Sequence, residues 1–108
     1  MTTAPRPKIL PGTTYEIPCA CGRLYVTCTD LDGRLFEIFL RLGKSGGCGA
    51  AVNEGAARLA SKALRGGIEP VEVVKSLAGI SCHASGPALP CCLAAAAEAI
   101  KSHIEGKP

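Results

Sequence analysis

The chain has 108 residues and a mass of 11.0 kDa, room for one small domain and none for a catalytic barrel or a two-domain cofactor enzyme. Hydrophobic residues make up 47% of the composition but aromatic ones only 4%, so much of the apolar content is alanine and the expected core is thin. The formal charge of +3 comes from 12 basic and 9 acidic residues spread along the chain without a basic run, which is too mild to point to nucleic acid.

Met1 to Gly12 is a Pro-rich leader, read as flexible or extended, with no apolar run of the length a signal peptide needs. No later stretch approaches a transmembrane span, so the expected location is the cytoplasm, with no membrane partner. The remainder, residues 13 to 108, reads as a single domain. Three strand-like runs open it: Thr13 to Ile17, Leu24 to Thr29 and Leu35 to Leu40. Asp32-Gly33 separates the last two, and because both residue types tolerate positive φ, the pair predicts a tight hairpin turn.

After Leu42 the pattern changes to helix. A glycine loop, Gly43 to Gly49, opens a helix over about Cys48 to Leu64, in which Val52, Ala56, Leu59 and Ala63 recur at three- and four-residue spacing and predict an inward face. Gly66-Gly67 stops it. A second, short helix is expected from Pro70, carrying Val71, Val74 and Leu77 inward before Gly79, and a third, alanine-rich one over Cys91 to Ile104. Three strands followed by three helices predict an α+β fold: a small antiparallel sheet with helices packed on one face.

Gly43-Lys44-Ser45 has the look of the end of a phosphate-binding loop, but the glycine such a loop needs is replaced by Ile38, so the nucleotide reading fails on that motif. The seven cysteines are the informative residues. In a reducing compartment clustered thiols are more often ligands or redox groups than disulfides, and an odd count argues against a closed disulfide framework. Cys21, Cys48, Cys82, Cys91 and Cys92 all fall at the edges of predicted elements, where a turn or helix start can present sulfur without disrupting a ladder. No Cys-x-x-Cys pair is present. Cys28 alternates within a strand and reads as a packed side chain.

Thr13-Thr14-Tyr15, Cys21-Gly22-Arg23-Leu24-Tyr25-Val26-Thr27, Phe36-Glu37-Ile38-Phe39, Leu42 to Cys48 and Gly79-Ile80-Ser81-Cys82 occur in an order that resembles the TSCPD domain. That domain is found at the C-terminal end of adenosylcobalamin-dependent (class II) ribonucleotide reductases and also as short free-standing proteins; this chain resembles the latter kind. The naming motif should fall at Leu89-Pro90-Cys91-Cys92-Leu93, where only the cysteine is kept; Cys92 stands for its Pro and Leu93 for its Asp.

Carried over residue by residue, the resemblance implies a metal site of Cys21, Cys48, Cys82 and Cys91, for zinc or, second to it, an iron-sulfur cluster, which would add stability to a thin core. It also implies a link to vitamin B12-dependent ribonucleoside-diphosphate reductase. The chain is expected to act as an accessory to a large class II subunit, reaching adenosylcobalamin only through that partner, because the radical and substrate machinery exceeds its length. Two other classes stay open. Cys91-Cys92 and Cys19-Ala20-Cys21, with Cys19 and Cys92 as thiols outside the metal set, are candidates for thiol-disulfide relay. Alternatively Lys44, Arg58, Lys62 and Arg65 line a helix face that holds an anion or acidic partner, or form an ordinary solvated face. His83 is a substitute ligand beside Cys82, His103 a complement to the helix dipole, and self-association is open.

Overall fold

The computed structural model describes residues 3–43, 47–82 and 84–106. Three strands, β1 (Gly12–Cys19), β2 (Gly22–Leu31) and β3 (Arg34–Leu42), form one antiparallel sheet in the order β1-β2-β3. Helices α1 (Gly47–Arg65), α2 (Pro70–Leu77) and α3 (Cys92–Glu105) follow, giving the expected α+β fold.

The two hairpin turns fix the register. Asp32 and Gly33 take φ of 54° and 78°, as the turn requires, and Leu31 pairs with Arg34 across it. The first hairpin closes through Ala20 and Cys21, with Cys19 opposite Gly22. A bulge lies between Thr29 and Asp30: Thr29 pairs with Glu37 but Asp30 with Leu35, so Phe36 is the extra residue on β3.

Alternation then divides the sheet into two faces. Leu24, Val26 and Cys28 of β2, with Ile38 and Leu40 of β3, are buried beneath the helices. The opposite face is polar: Thr14 and Thr27 hydroxyls meet at 2.8 Å, Tyr25 donates to Glu16 at 3.0 Å, and Thr29 donates to Glu37 at 3.0 Å. The leader reaches this side. Arg6 donates to the buried carboxylate of Glu37 at 2.9 Å, Ala4 bonds α1 through the Arg65 carbonyl at 3.0 Å, and the Pro11 carbonyl accepts from Asp30.

Alanine sets how closely α3 approaches the sheet. Ala95, Ala96, Ala97 and Ala99 are buried with Ile100, and the absence of bulk lets the helix backbone sit near β1 and β2. Gly106, at φ 73°, ends α3 with its N–H on the His103 carbonyl.

Two expected faces turn out rotated. In α1, Val52 and Leu59 are 52% and 73% exposed, and the buried positions are Asn53, Ala57 and Leu64. Burial of Asn53 explains the difference of one residue: its amide is spent on internal partners, so a polar side chain occupies the centre of the inward face while Ala56, Leu59 and Ala63 lie toward α2. In α2, Val73 is buried and Val71 exposed, with Val74 and Leu77 half-buried as expected.

Candidate functional site

Three backbone features bring most of the cysteines to one end of the sheet. Ala20 N–H donates to the Pro90 carbonyl at 2.8 Å, which ties the β1–β2 turn to the segment preceding α3. Cys91 is the N-cap of α3 and Cys92 its first residue. The Ser85 hydroxyl accepts from the Cys82 N–H at 3.0 Å and donates to the Cys82 carbonyl at 2.8 Å, curling the chain around Cys82. All seven cysteines are free thiols.

The electrostatics of this end are asymmetric. Cys82 has its pKa lowered, first by the Ala84 N–H, with help from the Cys91 and Cys21 thiols and the Ser85 N–H against a smaller opposing effect of burial. Its neighbours move the other way. Burial, with the Cys92 and Cys82 sulfurs nearby, pushes Cys21 up to about 11. Burial also raises Cys91 and Cys19, the latter close to Cys92 and Cys82. Cys82 thus gives up its proton more readily than its neighbours, and Cys21 and Cys91 hold theirs more tightly.

Of the four ligands that the resemblance implied, Cys21 and Cys91 each lie beside Cys82, and the thiols set apart from them, Cys19 and Cys92, join the same group. Cys48 is exposed in the first turn of α1. Asn53 connects that turn to the group, donating from Nδ2 to the Gly49 carbonyl at 2.8 Å and to Cys92 Sγ at 3.3 Å. Its Oδ1 is buried without a hydrogen-bond partner among the described residues. Sequence reasoning missed Asn53; the one signal was a poor helix former in the middle of an alanine-rich helix. As the side chains stand, no three His, Cys, Asp or Glu among the described residues are arranged to hold an ion. The donor set nonetheless suits a soft cation, since a metal would take the place of the thiol protons. His83 and Lys44 lie outside the described residues.

Cys28 is fully buried in the core, where burial and, next, Asp30 push its thiol up to about 12. At the far end of α3, His103 does more than complement a dipole. Nε2 is 2.9 Å from Asp30 Oδ1 and Nδ1 is 2.8 Å from Tyr15 Oη. Because the carboxylate only accepts, Nε2 carries the proton, and in the neutral imidazole Nδ1 accepts from the tyrosine. Arg58, Lys62 and Arg65 follow one side of α1, beside Arg41 of β3.

A family model described as the TSCPD domain matches residues 1–104, leader included. The chain belongs to the TSCPD domain family. TSCPD domains are known from ribonucleotide reductases. No curated protein and no solved structure matches the chain. Among the described residues of this TSCPD domain, no helix is long and apolar enough to cross a membrane.

Proposed function

We propose that this TSCPD domain is an accessory of an adenosylcobalamin-dependent ribonucleotide reductase and binds one zinc ion through Cys21, Cys48, Cys82 and Cys91. The observation that carries the reading is the gathering of sulfurs from the β1–β2 turn, the segment after α2 and the start of α3, with the pKa of Cys82 lowered from its ordinary value. Cys48 is preferred to Cys92 as fourth ligand because it is exposed at a helix start, whereas Cys92 is buried and its sulfur accepts from Asn53. A closed four-thiolate zinc has no open position, so its contribution is structural. It would clamp the first hairpin to α1 and α3 and offset an alanine-rich core. Cobalamin, radical and substrate would belong to the partner subunit, and both proteins to the cytoplasm, where thiols stay reduced.

Two measurements test the reading. The purified chain should carry about one equivalent of zinc, lost on Cys82→Ser; protein with neither zinc nor iron would remove the metal site. Affinity capture from a host extract should recover the large cobalamin-dependent subunit, and recovery of no reductase would remove the accessory role.

The lowered pKa of Cys82 beside two thiols whose pKa values are raised favours one other reading, a thiol relay in which Cys82 attacks a partner disulfide and Cys21 or Cys91 resolves the mixed disulfide. Chelation separates the two. A relay reacts with alkylating agents before chelator is added, and a metal site only after.

A further inference from the structure

Along the open edge of β3, a groove of about 590 Å³ runs between the strand and α1. Phe39 and Arg41 line it from the strand; Arg58, Ser61, Lys62 and Arg65 line it from the helix. Ser61 Oγ accepts from the Ile38 N–H and donates to the Ile38 carbonyl, both at 3.0 Å. The strand edge is therefore occupied there, which disfavours an added peptide strand. No cysteine lines the groove.

Its charge is unbalanced. Two carboxylates line it, but Glu37 is held by Arg6 at 2.9 Å and Glu54 by Arg58 at 2.6 Å. Arg41, Lys62 and Arg65 have no carboxylate in ion-pairing range among the described residues. Arg41 is set on a ring, 5.1 Å from the Tyr25 centroid; Arg65 lies 5.6 Å from that of Phe36 and donates from Nε and Nη2 to the Ala4 carbonyl at 3.2 and 3.1 Å. Phe39 leaves 49% of its surface exposed at the same rim, in a chain with only two Phe and two Tyr. The guanidinium of Arg41 suits bidentate recognition of phosphate oxygens, Arg65 keeps Nη1 for one more acceptor, and three cations without a carboxylate call for more than one negative charge.

We propose that this groove binds a small ligand of the nucleoside diphosphate class, its phosphates on Arg41, Lys62 and Arg65 and its planar body against Phe39. The size fits, since pockets for such ligands commonly measure about 300–1,000 Å³. The site is separate from the thiols and does not depend on the metal reading.

Amide NMR on the full chain as purified, at about 0.15 M salt, tests this with three probes: ADP, pyrophosphate and a glutamate-rich peptide. ADP should shift the amides of Phe39, Arg41, Ser61 and Lys62 to saturation. Lys62→Glu, an exposed change, should weaken ADP about tenfold or more. Phe39→Ala should weaken ADP and leave pyrophosphate unchanged. Failure of ADP to saturate these shifts, an unaltered affinity in Lys62→Glu, or preference for the peptide would overturn the proposal; equal weakening of both phosphate probes by Phe39→Ala would overturn its aromatic contact.

Discussion

The two ends of α3 are built on opposite principles. At its C-terminal end the polar groups are matched: Tyr15, His103 and Asp30 form a line in which every short contact has a donor and an acceptor. At its N-terminal end the thiols outnumber the partners available to them, one sulfur has its pKa lowered while its neighbours are raised, and Asn53 Oδ1 is left unpaired. A satisfied network holds an element in place; an under-satisfied one, with its cost of about 1–3 kcal/mol per orphaned group, marks where chemistry or a ligand is to be expected. The same helix is therefore anchored at one end and available at the other.

The largest effect that would break the comparison is loss of metal. Chelation should lower the melting temperature by roughly 20 °C or more, because structural zinc binding is folding free energy and a domain of this length shifts by several degrees per kcal/mol. An unchanged thermal scan would make the two ends alike.

Next comes the anchored end. His103→Ala leaves the Tyr15 hydroxyl and the Asp30 carboxylate without their partner and should cost about 2–3 kcal/mol in urea unfolding. Tyr15→Phe should cost only about 1 kcal/mol. Neither should alter metal content; a drop in bound zinc in either variant would show the two ends to be coupled.

Native alkylation of metal-free protein sharpens the asymmetry within the thiol end. Cys82 should be modified at lower pH than Cys21, since the first pKa is lowered and the second raised to about 11. Equal labelling of the two across the titration would contradict the opposite directions of the two shifts.

The smallest effect is on stability at high pH. Cys21 has a folded pKa raised above its ordinary 9.0, so the stability it contributes is fully present below that value and is lost as pH rises through about 11. Tyr15, raised from 10.0 by burial and then by Cys28 and Asp30, adds a similar loss starting above 10.0 at the other end. The urea midpoint of metal-free protein should fall across this range, and Tyr15→Phe should remove the second part. A midpoint that rises would reverse the sign of both shifts.

What could be read in the sequence was local. Asp32-Gly33 specified its hairpin, Pro70 and Gly79 bracketed α2, and the edge positions of Cys21, Cys82 and Cys91 singled out thiols that the fold brings together. What could not be read depends on contacts between distant segments. Val52 and Leu59 have inward spacing but lie outside because Asn53, bonded to Cys92 39 residues away, takes the inward position. Cys19 joins the thiol group where the Ala20–Pro90 bond ties its turn to the start of α3, which no spacing announces. His103 finds Tyr15 across 88 residues of chain, and no local pattern could distinguish that bond from a dipole contact.

Zinc K-edge X-ray absorption on the purified chain tests the central claim most directly. Four sulfurs at about 2.3 Å are expected, falling to three in Cys48→Ser and remaining four in Cys92→Ser. A shell of nitrogen and oxygen, or a protein that binds no zinc, would contradict it.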